Sequence, residues 1–335
     1  MTAASVTLPS SWYYDPAVYE RERSAVFGTE WVCVARADQL AEPGQYVATT
    51  IAGWPILVVV GDDRRVRGLH NVCRHRAGPL VWDGAGHTAS LVCRYHGWNY
   101  NLSGELTRAR DFGDVEPLGL CLGSVRAEAW RGLVFVSLSP TGPSLIEDLG
   151  AFVGECAGFS MEDFVFRGEV VHELPVNWKT YTDNYLEGYH IPLVHPALNK
   201  EIDARRYRVD VGDRWCRHSA PARDGSAVAG RWLWRWPNLA LNLYPDGMNV
   251  ERVLPEGPRR TRVVYQYFFR PGTQPESYEE SMRMSAQLME EDRAICEAVQ
   301  RNLESGAYET GELSPRHEQG VAAFQELVRA ALVAR

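Results

Sequence analysis

The spacing of apolar positions along the chain changes twice. Residues Asp15 to Trp31 repeat at helical spacing behind an Asp-Pro start, proline being favoured in the first turn of a helix. From about Gln39 to Leu138 the apolar positions gather into short β-rich runs, Ile56–Val60, Ser90–Cys93 and Leu133–Leu138, separated by Gly, Asp and Pro clusters. Beyond that the two periods mix. Leu145–Cys156 reads as helix, Phe164–Leu174 alternates as a strand, and Asn177–Tyr189 reads as a helix that Pro192 must end or bend. Strand-like runs follow at Leu239–Tyr244, Asn249–Leu254 and Thr261–Phe269, and two long helical patterns close the chain at about Glu276–Leu303 and Pro315–Val333. Strands followed by long helices predict an α+β fold with an antiparallel sheet. The expected organisation is an N-terminal helical segment over residues 1–38, a β-rich domain over 39–143, and a second domain over 144–335 on which the N-terminal segment packs.

Composition narrows the function classes. At 335 residues and 45% apolar content, two domains with sizeable cores are possible. The net charge of -8 offers no global basic field, so a nucleic-acid partner is not expected. No run of eighteen apolar residues predicts a membrane-spanning helix, and the first residues lack the charged and apolar regions of a signal peptide. Of seven cysteines, five (Cys33, Cys121, Cys156, Cys216 and Cys296) are scattered and odd in number. That suits reduced thiols in a cytoplasmic protein better than a disulfide framework.

The other two cysteines carry chemistry. Cys73-x-His75 and Cys93-x-x-His96 stand seventeen residues apart. This is the ligand set expected of a Rieske [2Fe–2S] centre, in which two thiolates hold one iron and two imidazoles the other. A structural zinc site is the alternative. However, zinc ribbons and fingers usually pair Cys with Cys and His with His, whereas here each loop offers one of each. The loops continue as His75-Arg-Ala-Gly-Pro79 and His96-Gly-Trp-Asn-Tyr100. Their Gly and Pro residues let backbone approach a cluster closely. A zinc protein would be colourless, a Rieske protein red-brown.

A second constellation lies further on. His190 and His195 are five apart with Pro192 between them, so a proline bend can bring both imidazoles to one centre. Two His and one carboxylate form the facial triad of non-haem Fe(II) oxygenases. Asp292 is the preferred carboxylate, because Met289, Ile295 and Val299 beside it suggest the apolar face of the long helix. Glu290 and Glu291 are expected in solvent. Coincidence, with both histidines structural, is the alternative. It loses ground because a Rieske cluster needs an electron acceptor.

With these motifs in place, the chain resembles the catalytic α subunits of Rieske non-haem iron oxygenases over nearly its whole length. Within them it is most similar to the quaternary-amine group that includes the choline monooxygenases. The resembling segments are the cluster loops, Asn177-Trp-Lys, Asp183-Asn-Tyr-Leu-Glu187-Gly-Tyr-His190 with His195, Pro237–Tyr244 and the helix from Asp292 to Leu303. The resemblance implies a Rieske domain beside a helix-grip catalytic domain, with a mononuclear Fe(II) held by His190, His195 and Asp292. It implies a ring of copies, usually a homotrimer, in which Glu187 links His96 of one subunit to His190 of another. Many ring-hydroxylating members have Asp where this chain has Glu187, which weakens an aromatic-dioxygenase reading. One helical turn before His190, Glu187 can share that histidine's face.

Electrons would come from a flavin/iron–sulfur reductase or a ferredoxin. No GxGxxG-type loop is present, so NAD(P)H serves only through that partner. Arg74, Arg76 and Arg94 in the cluster loops, with Arg65 and Arg67 before them, either steer an acidic donor or satisfy loop carbonyls. Trp232, Trp234 and Trp236 alternate and would share one strand face. They suit either cation–π capture of a quaternary ammonium or ordinary packing. The remaining histidines (His70, His87, His172, His218 and His317) read as structural. The expected activity is O₂-dependent hydroxylation of a quaternary or N-methylated amine. An aromatic ring-hydroxylating or O-demethylating enzyme, an electron carrier without oxygenase activity and a zinc-stabilised binding protein are the alternatives.

Overall fold

A computed structural model describes residues 5–224 and 230–333. The chain divides into two compact units, one running from Phe27 to Leu149, the other joining the residues up to Val26 to the stretch from Gly150 onwards.

The 27–149 unit is built on a seven-stranded antiparallel sheet. Its spatial order is Val32–Arg36, Leu133–Ser137, Ser124–Trp130, Val66–His70, Trp54–Val60, Gln45–Ile51 and Gly84–His87. Ile56 to Val60 is buried throughout, which is why an inner strand reads as an unbroken apolar run. A smaller sheet of Leu91–Val92, Asn99–Tyr100 and Leu106–Arg108 follows. Cys73, Cys93, Trp98 and Tyr100 belong to one buried apolar cluster with Leu69, Leu80 and Leu91.

The other unit carries a second seven-stranded antiparallel sheet. Six strands meander in chain order from Arg208–Val211 to Arg260–Phe269, and Val165–Leu174 adds to the last of them. The long helix Pro275–Glu304 packs on the helix Trp178–Tyr185, which in turn packs on the strand Gly247–Gly257. The α+β expectation holds, with a curled antiparallel sheet and long C-terminal helices.

Local chemistry sets the element ends. Asp15 caps the first helix by accepting from Ala17 N, but that helix stops at Glu22 and a π-turn over Arg23–Phe27 replaces the expected continuation to Trp31. Asn177 caps Trp178–Tyr185 through Lys179 N. This helix ends before Glu187, not at Pro192; the proline lies in the first turn of a separate short helix, Ile191–Val194. A side chain at Gly188 would meet the Tyr207 ring at 2.5 Å, so the break is made where only glycine fits. The last helix starts at Gln319, four residues later than its pattern suggested.

Beneath the Trp178–Tyr185 helix lies a buried ion pair. Lys179 Nζ donates to Glu22 Oε1 at 2.5 Å and to Asn177 Oδ1 at 2.8 Å, and Trp178 Nε1 donates to Glu22 Oε2 at 2.9 Å. Both charged side chains are fully buried. Removing one partner strands the other charge, a change that costs about 3–5 kcal/mol. Glu22→Gln is therefore expected to lower the thermal midpoint of this unit, whereas Glu20→Gln, an exposed change two residues away, should leave it in place.

Candidate functional site

The two cluster loops fold by one rule. Cys73 N donates to Gly78 O at 2.9 Å and Ala77 N back to Cys73 O at 3.0 Å. Cys93 repeats the pattern with Trp98 O at 2.8 Å and Gly97 N at 2.9 Å. Each cysteine thus sits at the mouth of a closed turn, with its histidine two or three residues on. Cys73 Sγ lies 3.2 Å from the Tyr100 hydroxyl, while the backbones of Tyr95 and His96 hydrogen-bond the Cys93 sulfur. A Cβ at Gly78 would approach Cys93 Sγ to 2.8 Å, so glycine leaves the space beside that sulfur open.

These residues suit a binuclear cluster. Both thiols are buried, and His75 Nδ1 is buried without a hydrogen-bond partner. Such an orphaned nitrogen is costly unless it ligates something. The His75 and His96 rings stand 4.6 Å apart, and Trp98 stacks on His75 at 4.7 Å. Among the described residues just one trio of His, Cys, Asp or Glu brings its ligand atoms within 4.8 Å of one another, and it is not drawn from these four. A tetrahedral zinc would have gathered all four around one point. The spread fits ligands divided between two irons.

The converging trio is His190, His195 and Asp292. The break at Glu187-Gly188 and the short helix that follows bring the two imidazoles together, with Nε2 atoms 3.2 Å apart. His195 Nε2 is 3.0 Å and His190 Nε2 3.8 Å from Asp292 Oδ1. Metal bonds of about 2.1 Å place neighbouring ligand atoms roughly 3 Å apart, so the spacing suits one ion. The outer nitrogens are engaged. His190 Nδ1 meets Glu187 Oε1 at 2.5 Å, and His195 Nδ1 meets Glu291 Oε2 at 2.8 Å. A carboxylate at Nδ1 keeps the proton there and turns the Nε2 lone pair inward. Two facing lone pairs cannot bond each other; a cation between them resolves the contact. The local charge agrees. Burial pulls the His195 pKa down, yet Asp292 and Glu291 outweigh it and hold it above the ordinary value.

Two readings of the long helix need correction. Glu291 is not a solvated acid but the partner of His195, steadied by Gln287 Nε2 at 2.9 Å; Glu290 does face solvent. Asp292 is inward, as expected, but Ile295 and Val299 are 38% and 40% exposed. The buried stripe is Met289, Cys296, Gln300 and Leu303. Asn184 Nδ2, 2.7 Å from Asp292 Oδ1, completes the support.

Beside the trio opens a cavity of about 660 Å³. Trp232 lines it, with Nε1 held by the Tyr244 hydroxyl at 2.7 Å. Trp234 and Trp236 instead pack with Trp178 and Phe324, so one of the three tryptophans faces the cavity. Glu251 is buried in its wall. It accepts from Asn242 Nδ2 at 2.6 Å and from Tyr181, and burial pushes its pKa up to about 7. Sequence reading missed Glu251 and Asn242. The available signal was polar residues at inward positions of otherwise apolar strands: Asn249 and Glu251 share a face, and Asn242 pairs with Asn249.

Because Glu291 orients a ligand from outside, its loss should weaken metal retention without abolishing it, typically by about 10–100-fold. Glu291→Ala is expected to lose iron on dialysis against a chelator faster than the unaltered protein, while keeping the visible spectrum of its cluster. Unchanged iron retention would remove this role.

Comparison with known proteins agrees with the geometry. Residues 161–224 and 213–334 match the family described as ring hydroxylating alpha subunit (catalytic domain), and residues 30–118 match the Rieske [2Fe-2S] domain. The chain is 31% identical over 338 residues to choline monooxygenase, chloroplastic, of Amaranthus tricolor, covering 95% of this chain and 76% of that protein. It is 30% identical over 352 residues to the carnitine monooxygenase oxygenase subunit of Escherichia coli (strain K12), covering 96% and 92%. Among solved structures, the quaternary ammonium Rieske monooxygenase CntA in complex with substrate L-carnitine superposes with a TM-score of 0.87 at 27% identity, covering 98% of this chain and 96% of that one. Naphthalene 1,2-dioxygenase from Rhodococcus sp. shares the fold, at a TM-score of 0.81 and 19% identity over 98% and 94% of the chains. The chain is a catalytic subunit of the Rieske non-haem iron oxygenase family, an O₂-using oxidoreductase with a [2Fe–2S] cluster and a mononuclear iron.

Proposed function

We propose that this oxygenase hydroxylates a quaternary or N-methylated amine, with Cys73, His75, Cys93 and His96 holding the cluster and His190, His195 and Asp292 the iron. The observation that carries the substrate class is the cavity beside the trio, walled by aromatic rings and by the buried carboxylate of Glu251. Aromatic faces and a desolvated carboxylate attract an ammonium group that cannot itself donate a hydrogen bond.

With both groups bound, the metals supply O₂ activation and one-electron transfer. The chain's residues provide the setting. Glu187 and Glu291 keep protons on the outer histidine nitrogens, Asn184 fixes Asp292, and the hydrogen-bonded Trp232–Tyr244 pair forms part of one wall. The overall reaction consumes one C–H bond, O₂, two electrons and two protons, and yields an alcohol and water. Hydroxylation of an N-methyl carbon would release formaldehyde and the demethylated amine. Attack on an alcohol carbon would give the aldehyde through its hydrate.

The electrons come from an external reductase or ferredoxin. Arg74, Arg76 and Arg94 are exposed around the cluster loops and suit an acidic donor. The proposal includes a ring of three copies in which Glu187 meets His96 of a neighbouring copy. Trp82, Tyr95 and Phe112, 68%, 57% and 55% exposed on the cluster-bearing unit, favour burial against a second copy. Sedimentation of the purified protein as a single chain would remove that part. In the described residues no helix is long and apolar enough to cross a membrane.

The decisive experiment is a single turnover. Chemically reduced, iron-loaded protein is mixed with O₂ and, separately, with choline, carnitine, betaines and aromatic acids, and products are read by mass spectrometry. An aldehyde, or formaldehyde with demethylated amine, is expected from at least one amine. In His190→Ala the cluster should still accept electrons while product disappears. A hydroxylated ring, with every amine untouched, would move the enzyme to the aromatic branch.

A further inference from the structure

An oxygenase whose cavity is empty when its oxidant forms must discharge that oxidant, or the oxidant attacks the wall. Oxidisable side chains line this wall, Met248 and Met284 among them. Three aromatic residues of the same wall stand in series. Tyr207 comes first: its ring lies where a Cβ of Gly188 would be, 2.5 Å from Cδ1, two residues before His190. Tyr207 and Trp232 are parallel within 4°, with centroids 6.5 Å apart. Trp232 Nε1 donates to the Tyr244 hydroxyl at 2.7 Å. Tyr244 is 36% exposed and begins a turn, its N donating to Gly247 O at 2.9 Å, in which Pro245 and Asp246 are exposed. The series therefore runs from the loop that carries His190 to solvent.

Electron tunnelling slows steeply with distance, so easily oxidised rings in close succession carry charge where one long jump does not. Oxidising a phenol also requires a place for its proton. The Tyr207 hydroxyl lies 2.9 Å from His218 Nδ1. Burial drives the His218 pKa down to about 3, so the ring is neutral and able to accept. Burial, and after it the charge of Glu187, raise the Tyr207 pKa. The phenol stays protonated at rest, and the nearby carboxylate favours a positive charge on the oxidised ring. Other tyrosines near the trio lack an outlet. Tyr181 and Tyr265 join their hydroxyls at 2.8 Å and Tyr267 follows at 6.2 Å between centroids, but none of the three is more than 5% exposed.

We propose that Tyr207, Trp232 and Tyr244 form an electron-donating chain that discharges an unspent oxidant at the His190–His195–Asp292 centre and is refilled by a one-electron donor in solution, such as ascorbate or a thiol. Two electrons reach the centre in turn, with two protons from solvent, and the oxidising oxygen leaves as water. Each withdrawal oxidises Tyr207, whose proton passes to His218 Nδ1. Trp232 then reduces Tyr207, which recovers that proton, and Tyr244 reduces Trp232. The donor reduces Tyr244 at the surface, so the rings end unchanged and the donor has lost two electrons. The chain requires the iron but no particular substrate.

Hydrogen peroxide, which equals O₂ plus two electrons and two protons, supplies the oxidant for the test. Iron-loaded protein with an oxidised, diamagnetic cluster is mixed with peroxide, without substrate, and frozen. Electron paramagnetic resonance is expected to show an organic radical that is missing from iron-free protein. Tyr207→Phe should lower its yield by at least fivefold. It should also raise the sulfoxide at Met248, read by mass spectrometry above the iron-free background, by at least threefold. Trp232→Phe should slow quenching of the radical by added ascorbate by at least fivefold. No radical in the iron-loaded protein, an unchanged yield in Tyr207→Phe, or unchanged quenching in Trp232→Phe would each overturn the proposal. If Tyr207→Phe is not recovered with a normal cluster spectrum, the quenching rate in Trp232→Phe decides alone. Because no amine is present, these results stand apart from the substrate reading, which the single-turnover products decide.

Discussion

Two imidazole nitrogens face each other across 3.2 Å, a spacing that suits a cation shared between them, and the catalytic unit is arranged to keep them there. Glu187 occupies the outer nitrogen of His190 and Glu291 that of His195. Neither histidine can turn away without giving up a charge-assisted hydrogen bond. Asp292 closes the third side, held by Asn184. The geometry that could bind a metal is therefore enforced by the protein's own electrostatics, and the carboxylates outside the trio matter as much as the ligands.

That arrangement needs a rigid base. The helix bearing Asn184 rests on the buried Lys179–Glu22 pair and on Gln300, whose Oε1 accepts from Asn177 N and from the Thr180 hydroxyl. Gln300 belongs to the same long helix as Asp292 and Glu291, two turns beyond Asp292. One side-chain amide thereby sets the register between the two helices that supply the site. Tyr13 joins the network by donating to Asp183, where burial pushes the carboxyl pKa up to about 7. A buried polar lattice of this kind specifies position, because moving one member breaks the hydrogen bonds of several others.

The expectations that the structure changed share a cause. Pro192 reads as the helix breaker, but the helix stops earlier, at Tyr185, and Gly188 just beyond it lies against Tyr207; that close approach comes from a segment nineteen residues on. Glu291 reads as solvated because its neighbours in sequence are charged, yet its partner is His195, ninety-six residues away. Ile295 and Val299 read as core because they are apolar, while the helix buries Cys296 and Gln300 instead. Of the tryptophans at 232, 234 and 236, only Trp232 reaches the cavity, a distinction that strand alternation cannot make.

What the sequence determined by itself was local: the two cysteine–histidine turns, each closed by its own backbone within five residues, the caps at Asp15 and Asn177, and the run from Glu187 to His195 that carries two imidazoles and a supporting carboxylate. Short-range hydrogen bonds and spacing dictate these, so they are legible in one dimension. The α+β class was legible too, from the change of apolar period. Tertiary structure decided what depends on the meeting of distant elements: the pairing of Glu291 with His195, the burial of Glu251 and His218, and a cavity whose charge balance is summed over strands and helices from Tyr181 to Asp292. No single segment carries that sum. Burial and charge pairing are properties of the assembled fold.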